Sequence, residues 1–213
     1  MTAQPEPPAR VPYPTAARTL LRDTVITAVD DLVRARGWSA TTMSDVAAAA
    51  GVSRQTLYNE FGSRTALVEA YVTREIETLV AEVTDAVRAN ADDAHRALRT
   101  AFELFLRLAS DEPVMQVIAT DADGGELHRL LAALGQSIAG ERIGLLIAEV
   151  WPQVPATDAR LLAESLVRLA ISHALLPAPD PGATAEGIGR MFAPFVDQLL
   201  GTEQPVTAAT SRR

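Results

Sequence analysis

The segment 41–64 constrains the fold of this chain most strongly, because its residues predict two short helices joined by a tight turn. Thr42 and Asp45 have the spacing of a helix-capping box, so a helix is predicted to begin there. Gly51 is able to adopt the positive φ that a sharp turn requires, and Ser53 is a preferred cap for the second helix. Two helices connected in this way form a helix-turn-helix.

The second of these helices has an apolar side and a polar side. Leu57 and Phe61 are one turn apart and are predicted to point into a core. The outward positions carry compact side chains rich in hydrogen-bond donors: Arg54, Gln55, Thr56, Tyr58 and Asn59. Such side chains suit base edges and phosphates in a major groove, and the N–H groups at helix starts near Thr42 and Ser63 suit phosphate oxygens. A helix-turn-helix used only for packing would not require this polar stripe.

The run 50–61, Ala-Gly-Val-Ser-x-x-Thr-Leu-Tyr-x-x-Phe, closely resembles the DNA-binding domain of TetR family regulators, over about residues 15–71. More narrowly, the run 53–64 resembles regulators found beside alkane hydroxylase and rubredoxin genes in actinobacteria. The resemblance implies phosphate contacts from Thr42, Tyr58 and Arg64. The remaining residues implied to contact bases or backbone are Ser53, Arg54, Gln55, Thr56 and Asn59.

Two residues depart from the usual pattern of that family. Glu60 follows Asn59 where His or Tyr is common, and we expect it either to accept from a cytosine amino group or to repel phosphate. Arg64 replaces the more usual Lys, which keeps the positive charge.

The charge of the chain is divided unevenly. The net charge is −8 at pH 7, which by itself disfavours a nucleic-acid partner. Residues 1–64, however, contain seven arginines and six acidic residues, whereas residues 65–213 contain twelve arginines and twenty-one acidic residues. The acidic excess therefore lies outside the helix-turn-helix and does not oppose its binding to DNA.

The periodicity of apolar residues predicts an all-α fold of about nine helices, without a sustained strand pattern. Thr15 is predicted to cap the first helix and Thr157 or Asp158 to open the eighth, and a short sixth helix is predicted from Pro113 to Thr120. A stiff loop is predicted over 177–182. The expected domains are a disordered arm (1–14), a DNA-binding domain (15–66), a ligand-binding and dimerisation domain (67–201) and a flexible tail (202–213).

The second domain has more apolar positions than one helical stripe requires, which fits either a solid core or an apolar cavity. The resemblance favours a cavity, and an apolar lining indicates a hydrocarbon or acyl chain as the ligand. The candidate walls are Phe102, Phe105, Met115, Ile118, Leu134 and Leu169, and His173 is a candidate partner for a ligand head group.

The resemblance also implies a homodimer, formed by the last two helices as a four-helix bundle. The residues that mark these two helices are Leu161, Leu162, Leu166, Leu169, Ala170, His173, Ile188, Met191, Phe192, Phe195, Val196 and Leu199. A symmetric dimer fits a palindromic operator with half-sites about 34–36 Å apart.

Several function classes are disfavoured. The chain has no cysteine, which excludes disulfides, thiolate catalysis and Cys-based zinc sites. His95, His128 and His173 lie in three different predicted helices, so we expect neither a metal site nor a cofactor. The run 135–139 approaches a nucleophile elbow but lies inside a helical pattern, and Asp121 begins a turn rather than a calcium loop.

The expected function is that of a cytoplasmic, ligand-responsive repressor, because no signal peptide and no apolar run of bilayer-spanning length is visible. The effector is expected to be fatty-acid-like, and the regulated genes to serve lipid or alkane metabolism or lipid export. The alternatives are a ligand-insensitive or activating DNA-binding protein of the same fold, and a lipid carrier. A carrier would lack salt-steep affinity for DNA.

Overall fold

The computed structural model describes residues 12–111, 126–176 and 179–201, and within these ranges it contains eight helices and no strand. The first five are α1 (Tyr13–Arg36), α2 (Met43–Ala49), α3 (Arg54–Phe61), α4 (Arg64–Arg88) and α5 (Ala94–Asp111). Helix α6 comprises Glu126–Leu134, a π-helical segment Gly135–Ala139 and Gly140–Val150. The last two are α7 (Ala156–Leu175) and α8 (Pro181–Leu200).

The all-α prediction is confirmed. Several expectations lie outside the described residues: the arm over residues 1–11, the helix 113–120, the turn at Asp121 and the tail 202–213.

Three helices begin earlier than predicted, and each begins beside a proline. Helix α1 starts at Tyr13 with Pro14 in its first turn, so Thr15 is not its cap. Helix α7 starts directly after Pro155, ahead of the predicted cap at Thr157 or Asp158. Helix α8 includes Pro181 and is capped by Asp180, so the predicted loop ends sooner. Proline suits the first turn because its φ is already helical and its missing N–H would have no partner there.

The chain divides into two compact units between Tyr71 and Val72. The first unit packs α1, α3 and the first turns of α4 around side chains that are almost completely buried: Val25, Val29, Val33, Leu57, Leu67, Val68 and Tyr71. The Tyr71 hydroxyl donates to Asp30 Oδ1 at 3.0 Å, and Asp30 also accepts from Arg34 at 2.8 Å. This polar link ties the start of α4 to α1 at the edge of an aliphatic core.

The second unit is built from the remainder of α4 and helices α5 to α8. Helix α5 packs on α8 through Phe102, Leu106 and Ile188, and the C-terminal half of α6 packs on α7 through Ile147 and Leu162. Gly144 permits close approach in the second contact, since a Cβ there would lie 3.7 Å from the Ala163 Cβ.

Helix α6 is long and apolar enough to cross a membrane by length and composition alone, over Arg129–Val150 with a mean hydropathy of 1.4. No segment of this kind was predicted from the sequence. Its outward positions include exposed Ser137, Glu141 and Glu149, and its inward positions line a cavity. Core helices of globular proteins meet the same criterion, so the apolar character of α6 does not assign it to a membrane.

Candidate DNA-binding surface and apolar cavity

Helix α2 begins with the capping box that the sequence predicted. The Thr42 backbone N–H donates to Asp45 Oδ2 at 2.9 Å, and the Asp45 N–H donates to Thr42 Oγ1 at 3.3 Å. Hydrogen bonds from the side chain and backbone of Thr42, with a further contribution from Arg36, hold the pKa of Asp45 below its ordinary value. The carboxylate therefore stays charged at the positive end of the helix dipole.

The turn between α2 and α3 also follows the prediction. Gly51 has a φ of 67°, and the Val52 N–H donates to the Ala47 carbonyl at 2.9 Å. Ser53 then caps α3 by accepting from the Thr56 N–H at 3.0 Å. The start and direction of α3 are thus set within a few residues of the turn.

Helix α3 buries one face and exposes the other. Leu57 is 1% exposed and Phe61 is 7% exposed, as predicted. The exposed face carries Arg54, Gln55, Tyr58 and Asn59, while Thr56 is half-buried beside Ser53. Gln55 Nε2 donates to Asn59 Oδ1 at 2.8 Å. These side chains form one continuous polar surface, to which the exposed Thr42 and Ser53 add the starts of both helices.

Arg64 makes several contacts within the first unit. Its Nη2 donates to the Trp38 carbonyl at 2.7 Å, its Nε approaches the Thr41 carbonyl at 3.4 Å, and its guanidinium stacks 4.1 Å from the centre of the Trp38 ring. The side chain thereby ties the first residue of α4 to the connection between α1 and α2. An arginine engaged in this way helps to order the connection before α2.

Glu60 does not point outward, which corrects both expectations for it. Its side chain is 11% exposed, and it accepts from Arg18 Nε at 2.9 Å and from Arg22 Nη1 at 2.8 Å. Burial raises the pKa of Glu60, but the hydrogen bonds from Arg22 and Arg18 outweigh burial, so the pKa lies below its ordinary value. The position of Glu60 on α3 faces α1, and a carboxylate there is retained because it is paired.

Replacing Glu60 with Gln is expected to flatten the pH dependence of stability. Because the pKa of Glu60 is lower in the folded chain than the ordinary 4.5, its stabilising contribution is present above pH 4.5 and is lost as the pH falls through the folded value. The urea midpoint of the native chain should therefore fall more steeply than that of Glu60→Gln as the pH is lowered below about 5. Parallel curves would contradict this expectation.

The second unit contains a partly open cavity of about 170 Å³ between α4, α5, α6, α7 and α8. All of its described lining residues are apolar: Ile76, Leu79, Val80, Val83, Val87, Ala94, Ala97, Leu98, Ala101, Phe102, Phe105, Leu131, Gly135, Ala139, Ile143, Leu146, Ile147, Trp151, Val154, Leu162, Leu166, Val167, Ala170, Ile171, Ala174, Val196, Leu199 and Leu200. A cavity of this composition excludes charged groups and accommodates hydrocarbon.

Only some of the residues that the sequence predicted as walls line this cavity. Phe102 and Phe105 line it, whereas Leu134 and Leu169 are not among the lining residues. Leu131 and Leu166, each one helical turn earlier, line it instead, because the sequence pattern places an apolar stripe on a helix without fixing its rotation. Met115 and Ile118 lie outside the described residues.

His173 also lies beside the cavity rather than in its lining. Its ring meets the Phe102 ring edge-on, with the ring centres 6.3 Å apart. Since Phe102 lines the cavity, His173 packs against one of the lining residues.

The sequence did not predict that α4 and the π-helical segment contribute residues to the lining of the cavity. Ile76, Val80 and Val83 line the cavity, although they are not among the candidate walls named from the sequence. Gly135 lies in the run that approached a nucleophile elbow, and a Cβ there would lie 3.3 Å from Ile171 Cδ1. The surrounding helix confirms that this run lacks the strand-turn-helix context of such an elbow.

The residues expected to mark a dimer surface divide into two groups. Leu162, Ile188 and Val196 are buried within their own unit, whereas Leu161 is 55% exposed and Met191 is 61% exposed. Helices α7 and α8 are apolar on more than one side, so an apolar residue there does not by itself indicate contact with a second chain.

Within the part of the chain that the structure describes, no group of three or more His, Asp or Glu side chains is placed to hold a metal ion. His95 lies instead against Asp197, with Nε2 and Oδ1 2.8 Å apart. The side chain of His128 is outside the described part.

The comparisons with known families match both units. The pattern of the tetR family of bacterial regulatory proteins matches residues 26–71, and that of the bacterial tetracyclin repressor C-terminal domain matches residues 93–194.

Individual relatives agree with these matches. The chain is 35% identical over 195 residues to the HTH-type transcriptional regulator AlkX of Mycobacterium tuberculosis, covering 90% of this chain and 92% of the relative. The solved structure of the TetR family repressor AlkX from Dietzia, implicated in biodegradation of n-alkanes, is similar with a TM-score of 0.67 and 34% identity, over 84% of this chain and 96% of that one. The transcriptional activator FasR of Mycolicibacterium smegmatis is 36% identical over 84 residues, 39% of this chain and 38% of the relative.

Proposed function

The chain belongs to the TetR family of transcriptional regulators, and we propose that it is a repressor that a hydrophobic effector releases from a palindromic operator. The observation that carries this proposal is the pairing of an exposed polar face on α3 with an entirely apolar described lining of the cavity in the second unit. The first feature suits a duplex with a readable major groove, and the second suits a small apolar molecule. This function places the protein in the cytoplasm, with its genomic DNA.

On DNA, helix α3 enters the major groove and reads base edges with Arg54, Gln55 and Asn59, while Tyr58 and Thr42 contact phosphates. Ser53 and Thr56, which hydrogen-bond to each other at 2.8 Å, hold the start of α3 close to the sugar–phosphate backbone. Arg64 acts indirectly by fixing the connection before α2, because its guanidinium is already engaged there. A homodimer presents two such helices to successive half-sites.

The effector is a molecule with a long hydrocarbon chain. Lining residues of α4 extend from Ile76 to Val87, which is about 16 Å of helix and matches an extended chain of roughly a dozen carbons with single bonds of about 1.5 Å. A fatty acid would place its chain among these side chains and its carboxylate beyond the described lining, because burying an unpaired charge is costly. The AlkX repressor from Dietzia is implicated in n-alkane biodegradation, which favours lipid or alkane genes as the targets here.

Helix α4 is the natural element to couple effector binding to the release of DNA. Its first residue, Arg64, holds the connection before α2, and residues three turns later line the cavity. A ligand changes operator affinity only to the extent that it binds the two conformations differently. The filled cavity therefore favours an arrangement in which the two recognition helices no longer fit adjacent grooves.

Activation is the second candidate function, since one relative, which matches 84 residues of the chain, is an activator. An activator of this fold would bind the same kind of operator but would recruit polymerase instead of excluding it. Transcription in vitro from the bound promoter separates the two, because repression lowers and activation raises the transcript.

The proposed function is tested by fluorescence anisotropy with a labelled duplex from upstream of the protein's own gene and a scrambled duplex of equal length. We expect tight binding to the first duplex only, and its loss on addition of dodecanoate. Binding that ignores dodecanoate, and equally ignores dodecane, would contradict the effector class while retaining the regulator. No selective binding to this or other candidate promoters would contradict the DNA-binding proposal.

A further inference from the structure

An exposed arginine of α1, outside the motif of residues 50–64, is held against the last turn of α3. Arg18 is 65% exposed and is held against Glu60, the residue that follows Asn59 on α3. Its Nε lies 2.9 Å from Glu60 Oε1 and 2.9 Å from Oε2. The contact uses Nε, so the two terminal nitrogens at the exposed end of the side chain can donate to another group.

The carboxylate that holds Arg18 is itself fixed. Glu60 is 11% exposed and also accepts from Arg22, whose guanidinium stacks 4.7 Å from the centre of the Phe61 ring. Phe61 is buried in the core of the first unit. Arg22 and Phe61 thus determine where the Glu60 carboxylate lies, and Glu60 determines where the Arg18 guanidinium lies.

The cluster of Arg18, Arg22 and Glu60 carries a net positive charge, because two guanidinium groups surround one carboxylate. Glu60 therefore does not add uncompensated negative charge to the recognition surface. The low pKa of Glu60, in which the two arginines outweigh burial, keeps the carboxylate charged and able to hold both partners. A guanidinium with free terminal N–H groups is well suited to two parallel hydrogen bonds with a phosphate.

We propose that Arg18 contacts a phosphate of the DNA backbone and that Glu60 is the positioning residue that orients it. This inference rests on the proposed binding of α3 to DNA, and it assigns to Arg18 the cationic contact that the family motif suggests for Arg64. Arg64 donates to two backbone carbonyls and stacks on Trp38, whereas Arg18 is oriented by a side chain at the end of the recognition helix itself.

The test is the salt dependence of DNA affinity for Arg18→Ala and Arg18→Gln, measured by anisotropy on the upstream duplex and on a scrambled duplex. Each phosphate contact contributes about 0.9 to the slope of log affinity against log salt. We expect both variants to lower that slope by about one per protomer on both duplexes, because a phosphate contact carries no sequence information. Arg18→Lys should restore most of the slope, since it keeps the charge.

Arg34 provides the matched control. It is also on α1, it also donates through Nε to a carboxylate, that of Asp30 at 2.8 Å, and it lies sixteen residues away, or about 24 Å along the helix. Arg34→Ala should leave the salt slope unchanged. A slope in both Arg18 variants equal to that of the native chain would overturn the proposal, whereas failure of the native chain to bind either duplex would instead overturn the proposed function. Thermal unfolding of every variant verifies that the fold is retained.

Discussion

Replacing Gln55 with Ala is expected to lower affinity for the operator by about 10-fold to 100-fold, the usual cost of losing one good bidentate contact with a base. Gln55 is exposed on α3, and its Nε2 donates to Asn59 Oδ1 at 2.8 Å. This bond fixes two amide side chains one helical turn apart before DNA arrives. Amides of this kind pair with the N6 and N7 atoms of adenine, so the loss should be largest at an A·T pair. Anisotropy titrations with single base-pair substitutions in the operator measure it.

Two controls distinguish the loss of a base contact from a general weakening of DNA binding. Gln55→Ala should leave affinity for the scrambled duplex almost unchanged, because phosphate contacts alone support that binding. The double variant Gln55→Ala/Asn59→Ala should lose less binding free energy for the operator than the sum of the losses of the two single variants. Each single change already disrupts the hydrogen bond between the two side chains. Equal losses on operator and scrambled duplexes would contradict base reading by Gln55.

The parts of the molecule that sequence analysis predicted accurately are those with local causes. The capping box at Thr42, the positive φ of Gly51 and the cap at Ser53 each involve residues at most five positions apart. Such contacts form in any chain with the same short sequence, so a motif suffices to predict them. The exposed face of α3 follows from the same local information, since Leu57 and Phe61 fix which side is buried.

The contacts of Glu60 and Arg64 that the sequence pattern did not reveal have a common physical origin. Glu60 is paired with Arg18 and Arg22, which lie 42 and 38 residues away, and Arg64 binds the carbonyl of Trp38, 26 residues away. A helical pattern assigns a residue to a face but does not reveal which distant charge lies opposite that face. Long charged side chains are therefore the residues whose contacts are hardest to predict from sequence.

The cavity illustrates a different limit of prediction. A surplus of apolar residues in the second domain indicated either a solid core or a cavity, and that surplus alone did not distinguish them. The distinction depends on how five helices are rotated and spaced, which also decides that Leu131 rather than Leu134 lines the cavity. Small residues such as Ala97, Ala101 and Ala139 in the lining leave room that larger side chains would fill.

Filling this space is expected to weaken the response to the effector. Ala101 is 8% exposed and lines the cavity beside Phe102, so Ala101→Phe places an aromatic ring where the hydrocarbon chain is proposed to bind. Operator affinity should remain close to that of the native chain, while the concentration of dodecanoate needed for release rises by more than about 10-fold, equivalent to a loss of roughly 1.4 kcal/mol of ligand binding. Ala101→Leu should have an intermediate effect. Operator release is followed by anisotropy at increasing dodecanoate.

The same variant distinguishes an open cavity from a solid core. Inserting a large side chain into a well-packed core costs about 1–3 kcal/mol, whereas filling an existing space costs little or stabilises the fold. Ala109 is the matched control, because it is also buried on α5, at 6% exposure, but is absent from the lining. Ala109→Phe should therefore lower the free energy of unfolding by about 1–3 kcal/mol while Ala101→Phe does not, as measured by urea denaturation. Equal destabilisation by the two substitutions would contradict the cavity.

Combining these measurements tests whether cavity and DNA surface are coupled. If dodecanoate releases the operator through differential affinity for two conformations, then operator DNA must weaken dodecanoate binding by the same factor. Ala101→Phe should weaken dodecanoate binding, both with and without operator DNA, without altering the salt slope that Arg18 contributes, because Ala101 lines the proposed ligand site and Arg18 is proposed to contact phosphate. An Ala101→Phe protein that still responded fully to dodecanoate would place the effector site outside the cavity, and the function of the cavity would then have to be sought in folding rather than in regulation.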